Sequence, residues 1–114
     1  MKLTPMRVQM LYVTLTDFPP FNQYKWPRLE DIKFQVSRSN RLMGSYDRDH
    51  YHELMVSEKL CKTLSELLET ICHEMCHMQL EFQGNEFADE HTGAMWNSIA
   101  APVCDAFGFD FKTF

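Results

Sequence analysis

The stretch from Thr63 to Gly84 constrains the fold most, because its ends and its periodicity both indicate one long helix. Thr63, followed three residues later by Glu66, is a capping-box pattern, and Gly84 is a typical helix stop. At about 100° per residue, apolar residues collect on one side of this helix. The predicted core side holds Leu64, Leu67, Leu68, Ile71, Met75 and Met78, and the opposite side holds Glu66, Thr70, His73, His77 and Leu80.

His73, Glu74 and His77 form an HExxH pattern away from the predicted core side of the helix. Side chains four residues apart are neighbours on one helix face, so both imidazoles can bind one Zn²⁺ at about 2.0–2.1 Å. Glu74, rotated by about 100° from His73, can lie beside the metal and accept a proton from bound water. The pattern also occurs by chance in long helices, but its placement here predicts a zinc site.

A catalytic zinc site needs a third protein ligand and one open position. The downstream candidates are Glu81, Glu86, Asp89, Glu90 and His91. Glu81 lies one turn further along the same helix, and three successive turns of a straight helix cannot surround one ion. We therefore expect the chain to reverse in segment 83–90 and His91 to open a second helix. Met95, Trp96, Ile99 and Val103 predict that helix, and Glu86 is the rival ligand.

The other segments predict an α+β domain. Leu3, Met6, Met10 and Val13 follow a helical spacing, which predicts an amphipathic N-terminal helix over Thr4–Thr16. The prolines of DFPPF end that helix. IKFQVS alternates apolar and polar residues, and RLMGSY and HELMVS can supply two more strands of a small antiparallel three-stranded sheet. No repeat or linker is visible, so residues 1–114 are predicted to form a single domain.

The composition is typical of a soluble globular protein, with 45% hydrophobic and 24% charged residues. No apolar run is long enough to span a bilayer and the start carries no signal peptide, which favours a cytoplasmic location and no membrane partner. The net charge of -5 argues against a broad phosphate-binding surface. Cys61, Cys72, Cys76 and Cys104 lack the spacing of a disulfide scaffold. Cys72 and Cys76, one helical turn apart, are interpreted as small buried or half-buried side chains.

Three quoted segments resemble the SprT-like metallopeptidases, which include the Spartan proteases of DNA–protein crosslinks. They are RLMGSYDRDHYHELMVSEKL, LLETICHEMCHMQLEF and DEHTGAMWNSIA, and the resemblance extends from Ile32 to Phe109. It implies a minimal zincin-like fold, a zinc cofactor, His73, His77 and His91 as ligands, and Glu74 as general base. The chain departs from the family pattern in two places: Glu90 replaces the glycine before the third histidine, and Gly93 follows that histidine by two positions instead of one.

The resemblance further implies an endopeptidase that acts on protein substrates, including proteins crosslinked to DNA, and binds single-stranded DNA weakly. No CxxC…CxxC zinc ribbon of the Spartan type is present in the sequence. The only stretch suited to phosphate contacts contains Lys25, Arg28, Lys33, Arg38, Arg41 and Arg48. Amide hydrolysis also needs a donor for the developing oxyanion, for which Tyr46, His50, Tyr51 and His52 are candidates.

Two alternatives remain open from the sequence. NEFADE resembles a region of the ImmA/IrrE-like regulatory peptidases, in which a glutamate supplies the third ligand. The other alternative is a non-catalytic module in which zinc braces a small interaction domain. Zinc content separates the two peptidase hypotheses from a coincidental motif, and loss of hydrolysis in Glu74→Gln with zinc retained separates an enzyme from the module.

Overall fold

The computed structural model describes residues 2–84, 91 and 93–114. The elements are α1 (Pro5–Thr16), β1 (Ile32–Ser37), β2 (Gly44–Arg48), β3 (His52–Ser57), α2 (Leu64–Phe82) and α3 (Ala94–Phe107). The described chain is therefore α+β, as predicted, and two short 3₁₀ turns lie between α1 and β1. No helix within those ranges combines the length and apolar character needed to cross a membrane.

The sheet is mixed, so the prediction of an antiparallel sheet was wrong. Its strand order is β1-β3-β2, with β3 parallel to β1 and antiparallel to β2. β3 lies at the centre, where its apolar side chains Leu54 and Val56 are fully buried, whereas β2 has the polar sequence GSYDR and lies at an edge. An alternating pattern identifies a strand but does not fix the order or direction in which strands pair.

Both predicted ends of α2 are confirmed. The Thr63 hydroxyl accepts a hydrogen bond from the Glu66 backbone N–H at 3.1 Å, and the Glu66 carboxylate accepts one from the Thr63 N–H at 3.1 Å. These reciprocal bonds satisfy two donors that a helix start leaves without partners. At the other end, Gly84 has φ 80, a left-handed conformation that favours glycine after a helix.

The predicted division of α2 into a core side and a polar side was wrong, because the helix is buried on several sides. The sheet packs against one part of α2 and α3 packs against another. Leu67, Ile71, Met75 and Met78 are buried as expected, but Thr70, Glu74, His77 and Leu80 are also buried. Leu64, assigned to the core side, is 58% exposed. The HExxH segment therefore lies inside the domain, and its polar side chains line a cleft.

The N-terminal helix forms as predicted but buries a different face. Its buried residues are Val8, Tyr12 and Leu15. Met6 and Met10, which belong to the apolar stripe that predicted the helix, are 61% and 60% exposed. The Tyr12 ring lies 5.3 Å from Phe34 and 5.8 Å from Trp26, and this aromatic cluster fixes α1 against the sheet.

Candidate metal centre

His73 and His77 extend into one cleft from successive turns of α2. Their ring centroids are 5.0 Å apart, as expected for residues one helical turn apart. His77 is 6% exposed and His73 is half-buried, so neither is an ordinary surface histidine. Because the middle of α2 is buried, the backbone that carries both rings is held in place.

His91 joins this pair from outside the helix. Its ring centroid lies 5.0 Å from that of His73 and 4.6 Å from that of His77. The Nε2 atoms of His77 and His91 are 2.8 Å apart, and one nitrogen from each of the three rings lies within 4.8 Å of the other two. Tetrahedral zinc with nitrogens at about 2.1 Å requires nitrogen separations of roughly 3.4 Å. The observed separations, from 2.8 Å to at most 4.8 Å, bracket this value, so the three imidazoles could hold one metal ion.

Trp96, from the first turn of α3, packs against all three histidines. Its ring centroid is 5.2 Å from His73, 4.7 Å from His77 and 5.3 Å from His91, and the residue is 3% exposed. Phe114 packs against the same group, 5.1 Å from His73 and 6.0 Å from Trp96. These aromatic rings limit the rotation of the imidazoles and exclude water from one side of the cluster.

The electrostatics of the cluster suit metal binding. Burial, together with the neighbouring His77 and His91, lowers the pKa of His73 to about 4. Its imidazole is therefore neutral at pH 7, which is the form that binds a metal. Burial, together with the carboxylate of Asp47, raises the pKa of Glu74 to about 8. A bound cation would lower the pKa of Glu74 again and favour its ionised form.

Glu74 and the histidines line the same cavity, which has a volume of about 630 Å³. The β2 residues Gly44, Ser45 and Tyr46 form another wall of this cavity. The Glu74 residue is 7% exposed, and its carboxylate points towards β2, since Oε2 lies 3.3 Å from the position that a Cβ on Gly44 would occupy. A cavity of this size with a few convergent polar groups is typical of a small-molecule or peptide site.

The sequence profile of the SprT-like family matches residues 17–113. The chain belongs to the SprT-like family. The chain has no match among the curated proteins with which it was compared. The matched range includes the sheet, α2 and α3, and thus every described residue of the histidine cluster.

The structure places Glu81, another candidate ligand of this SprT-like chain, away from the histidine cluster. Glu81 is half-buried on the last turn of α2, where it lines a second cavity together with Phe82. Glu86, Asp89 and Glu90 lie outside the described residues. Among the described residues, His73, His77 and His91 are the group of potential ligands brought within reach of one ion.

Of the predicted oxyanion donors, Tyr46 lines the cleft of the SprT-like chain. The hydroxyl of Tyr46 and Nδ1 of His52 are 2.6 Å apart, and both residues are buried. Tyr51 is exposed with the Lys33 ammonium 4.6 Å from its ring centroid, and His50 is exposed as well. The structure thus brings only Tyr46, of these four residues, to the wall of the cavity that contains the histidines.

The cysteines have no place in the cluster. Cys72, Cys76 and Cys104 are free and buried, and burial raises the pKa of each thiol, to about 12 for Cys72 and about 11 for Cys104. They therefore stay protonated at pH 7 and act as small apolar side chains, as the sequence predicted for Cys72 and Cys76.

Sequence reasoning missed several residues of the cleft. Phe114 contacts His73, and Leu42 and Met43 line the same cavity as the histidines. Trp96 was predicted only as a residue of the second helix. Nothing in their local pattern marks these residues, because their proximity to the histidines depends on how distant segments pack. Gly44 does carry a local signal, because a glycine in a strand indicates that another segment approaches the backbone closely.

Proposed function

We propose that this chain is a zinc-dependent endopeptidase that hydrolyses protein substrates. His73, His77 and His91 would hold the metal, and Glu74 would act as the general base. One observation carries the proposal: three histidines from two parts of the chain place ligand atoms within 4.8 Å of one another, in a cleft that also contains Glu74. Membership of the SprT-like family supports the same conclusion.

Zinc would supply a Lewis acid for the substrate carbonyl and a water molecule of lowered pKa. Glu74 would accept a proton from that water and deliver it to the leaving amine. The buried Glu74 carboxyl has a pKa of about 8 in the metal-free protein, and a neighbouring cation would lower that pKa towards neutrality. A pKa near the working pH allows one group both to accept and to release a proton.

The edge strand β2 would hold the substrate backbone. β2 pairs with β3 along one side, and its residues 44–46 line the cleft. An extended peptide can add to such an edge through backbone hydrogen bonds. This arrangement would lay a substrate peptide across the cleft beside Glu74, without requiring a particular amino-acid sequence.

Tyr46 is our candidate for the oxyanion donor. Arg48 hydrogen-bonds to Nε2 of His52, and a guanidinium group can only donate, so this nitrogen must be the acceptor. Burial and the Arg48 charge lower the pKa of His52 to about 4, which keeps the ring neutral with its proton on Nδ1. Nδ1 therefore donates to the Tyr46 oxygen, and the hydroxyl proton of Tyr46 is directed away from His52.

We extend the proposal to protein substrates that are bound or crosslinked to DNA, following the family resemblance. Two of the basic residues considered for DNA contact are already paired: Arg28 with Glu30 and Asp31, and Arg38 with Glu58. Arg41 is exposed in the segment before β2 and close to the cleft rim at Leu42. DNA contacts near the cleft would therefore involve Arg41 first.

The test is a proteolysis assay in which the metal content of the protein is controlled. We expect cleavage of an unstructured protein such as casein by the zinc-loaded chain, loss of cleavage with EDTA, and recovery on adding zinc. Trp96 can report metal binding in the same samples, because its ring packs on all three histidines and Co²⁺ should quench its fluorescence. Trp26→Phe removes the other tryptophan signal. Quenching without zinc-dependent cleavage would indicate a metal-binding module instead of an enzyme.

A further inference from the structure

Gly44, the first residue of β2, lies unusually close to α2. A Cβ at this position would lie 2.6 Å from Thr70 Cγ2, 2.9 Å from the Met55 carbonyl oxygen and 3.3 Å from Glu74 Oε2. Two of these distances are shorter than van der Waals contact allows. By contrast, the glycines at 84, 93 and 108 have positive φ and open surroundings. A glycine is therefore required at position 44 because a side chain would not fit there, and not because the backbone has a special conformation.

The surroundings of Gly44 have little freedom to move. Thr70 is buried and β-branched, and its hydroxyl accepts a hydrogen bond from the Cys61 thiol at 3.6 Å. The Met55 oxygen belongs to the backbone of the central strand. Relief of the two shortest contacts would therefore displace the start of β2, and with it the surface against which Glu74 Oε2 lies.

Packing holds the Glu74 carboxylate in place. No hydrogen bond to it is found in the part of the chain that the structure describes, although the residue is 7% exposed. Its Oε2 atom lies against Gly44, and Thr70 lies one helical turn before it on the same side of α2. The approach of β2 at Gly44 thus limits where the carboxylate can lie relative to the histidines.

We propose that Gly44 is a positioning residue for Glu74. Its missing side chain lets the edge strand approach α2 closely enough to hold the carboxylate beside the histidine cluster. The inference rests on the proposed peptidase function, because it assigns Gly44 a role in the proton transfer of that reaction. It adds to that function the requirement for a glycine at position 44, which neither the three histidine ligands nor the HExxH motif implies.

The test compares steady-state peptide hydrolysis by zinc-loaded wild type and Gly44→Ala. A displacement of about 1 Å of a catalytic group lowers a rate by up to about 100-fold, and we expect kcat to fall by roughly 10- to 100-fold. Zinc per chain should not change, because Gly44→Ala alters no ligand. We expect kcat to change by a larger factor than KM, because proton transfer depends on the position of Glu74 more sharply than substrate binding depends on that of β2. Thr70→Ser removes the methyl group in closest contact, so the double variant Gly44→Ala/Thr70→Ser should recover part of kcat.

Val56→Ala provides the matched control for lost stability. Val56 is fully buried and lies opposite Gly44 in the strand register, but its truncation adds no atom near Glu74. This variant should keep kcat within about 2-fold of wild type once zinc-loaded, since substitutions away from the reacting groups act mainly on stability. If Gly44→Ala alone does not fold, the double variant replaces it in the comparison.

The outcomes separate the inference from the proposed function. An inactive wild type would reject the peptidase function itself. An active wild type with near-normal kcat in Gly44→Ala, or an equal loss of kcat in Val56→Ala, would reject only the role of Gly44. Failure of both Gly44 variants to fold with zinc would show that the close approach serves the fold, and would also overturn the inference.

Discussion

Glu74→Gln should stabilise the metal-free protein at neutral and alkaline pH. The Glu74 carboxyl is buried and its pKa is about 8, whereas a carboxyl in the unfolded chain titrates near 4.5. Because the folded state holds this proton more tightly, the contribution of Glu74 to stability is most favourable below pH 4.5, falls as the pH rises from 4.5 to 8, and is least favourable above pH 8. A neutral glutamine of the same size removes this penalty.

The size of the effect follows from the pKa difference. Each pKa unit corresponds to about 1.36 kcal/mol, and about 2.5 units separate the unfolded-state pKa from pH 7. The upper limit of the penalty at pH 7 is therefore about 3 kcal/mol. Water in the cleft screens part of the charge and the buried amide has its own desolvation penalty, so we expect a gain of about 1–2 kcal/mol for Glu74→Gln.

The assay is urea unfolding of EDTA-treated wild type and variant at pH 5 and pH 8. The difference in the free energy of unfolding between the two proteins should be larger at pH 8 than at pH 5. Glu81→Gln is the matched control, because it removes the same charge from the same helix away from the histidine cavity. An equal or smaller free energy of unfolding for Glu74→Gln at pH 8 would refute the argument that this buried carboxylate destabilises the fold.

Three further predictions concern the metal, the core and DNA. His91→Ala should lower zinc occupancy measured by atomic absorption, because it removes one of three nitrogen ligands, whereas Glu86→Ala should not; the reverse result would favour a glutamate ligand. Tyr12→Phe should raise the free energy of unfolding by about 1 kcal/mol and the melting temperature by about 4 °C, because the Tyr12 hydroxyl is buried without a hydrogen-bond partner among the described residues; a fall in melting temperature would contradict this. Binding of single-stranded DNA, measured by fluorescence anisotropy, should weaken steeply with salt and on Arg41→Glu, and no binding at low salt would remove the case for DNA-bound substrates.

Local sequence signals predicted the elements of the fold but not how they pack. The capping box at Thr63 and the glycine at 84 fixed the ends of α2, because these signals act within a few residues. The direction of β1 relative to β3 and the buried face of α1 were predicted incorrectly. Both depend on contacts between distant segments, such as Tyr12 with Phe34, and a periodic pattern does not specify them.

The candidate site could be predicted where its residues share one helix. His73, Glu74 and His77 are placed by helix geometry alone, so their spacing predicted a common site. The straight helix excluded Glu81 as third ligand and left His91 with Glu86 as its rival, and the family resemblance favoured His91. The structure brings the ring centroid of His91 within 5.0 Å of those of the other two histidines. Trp96 and Phe114 contribute through packing between separate elements, and nothing in the sequence placed them next to these histidines.

The central claim is that Glu74 performs proton transfer in hydrolysis without binding the metal. The most direct measurement is a parallel zinc assay and proteolysis time course on wild type, Glu74→Gln and the control Glu81→Gln. We expect all three proteins to hold equal zinc, and only Glu74→Gln to lose hydrolysis, by at least about 10²-fold. Full activity in Glu74→Gln at equal zinc content would contradict the mechanism.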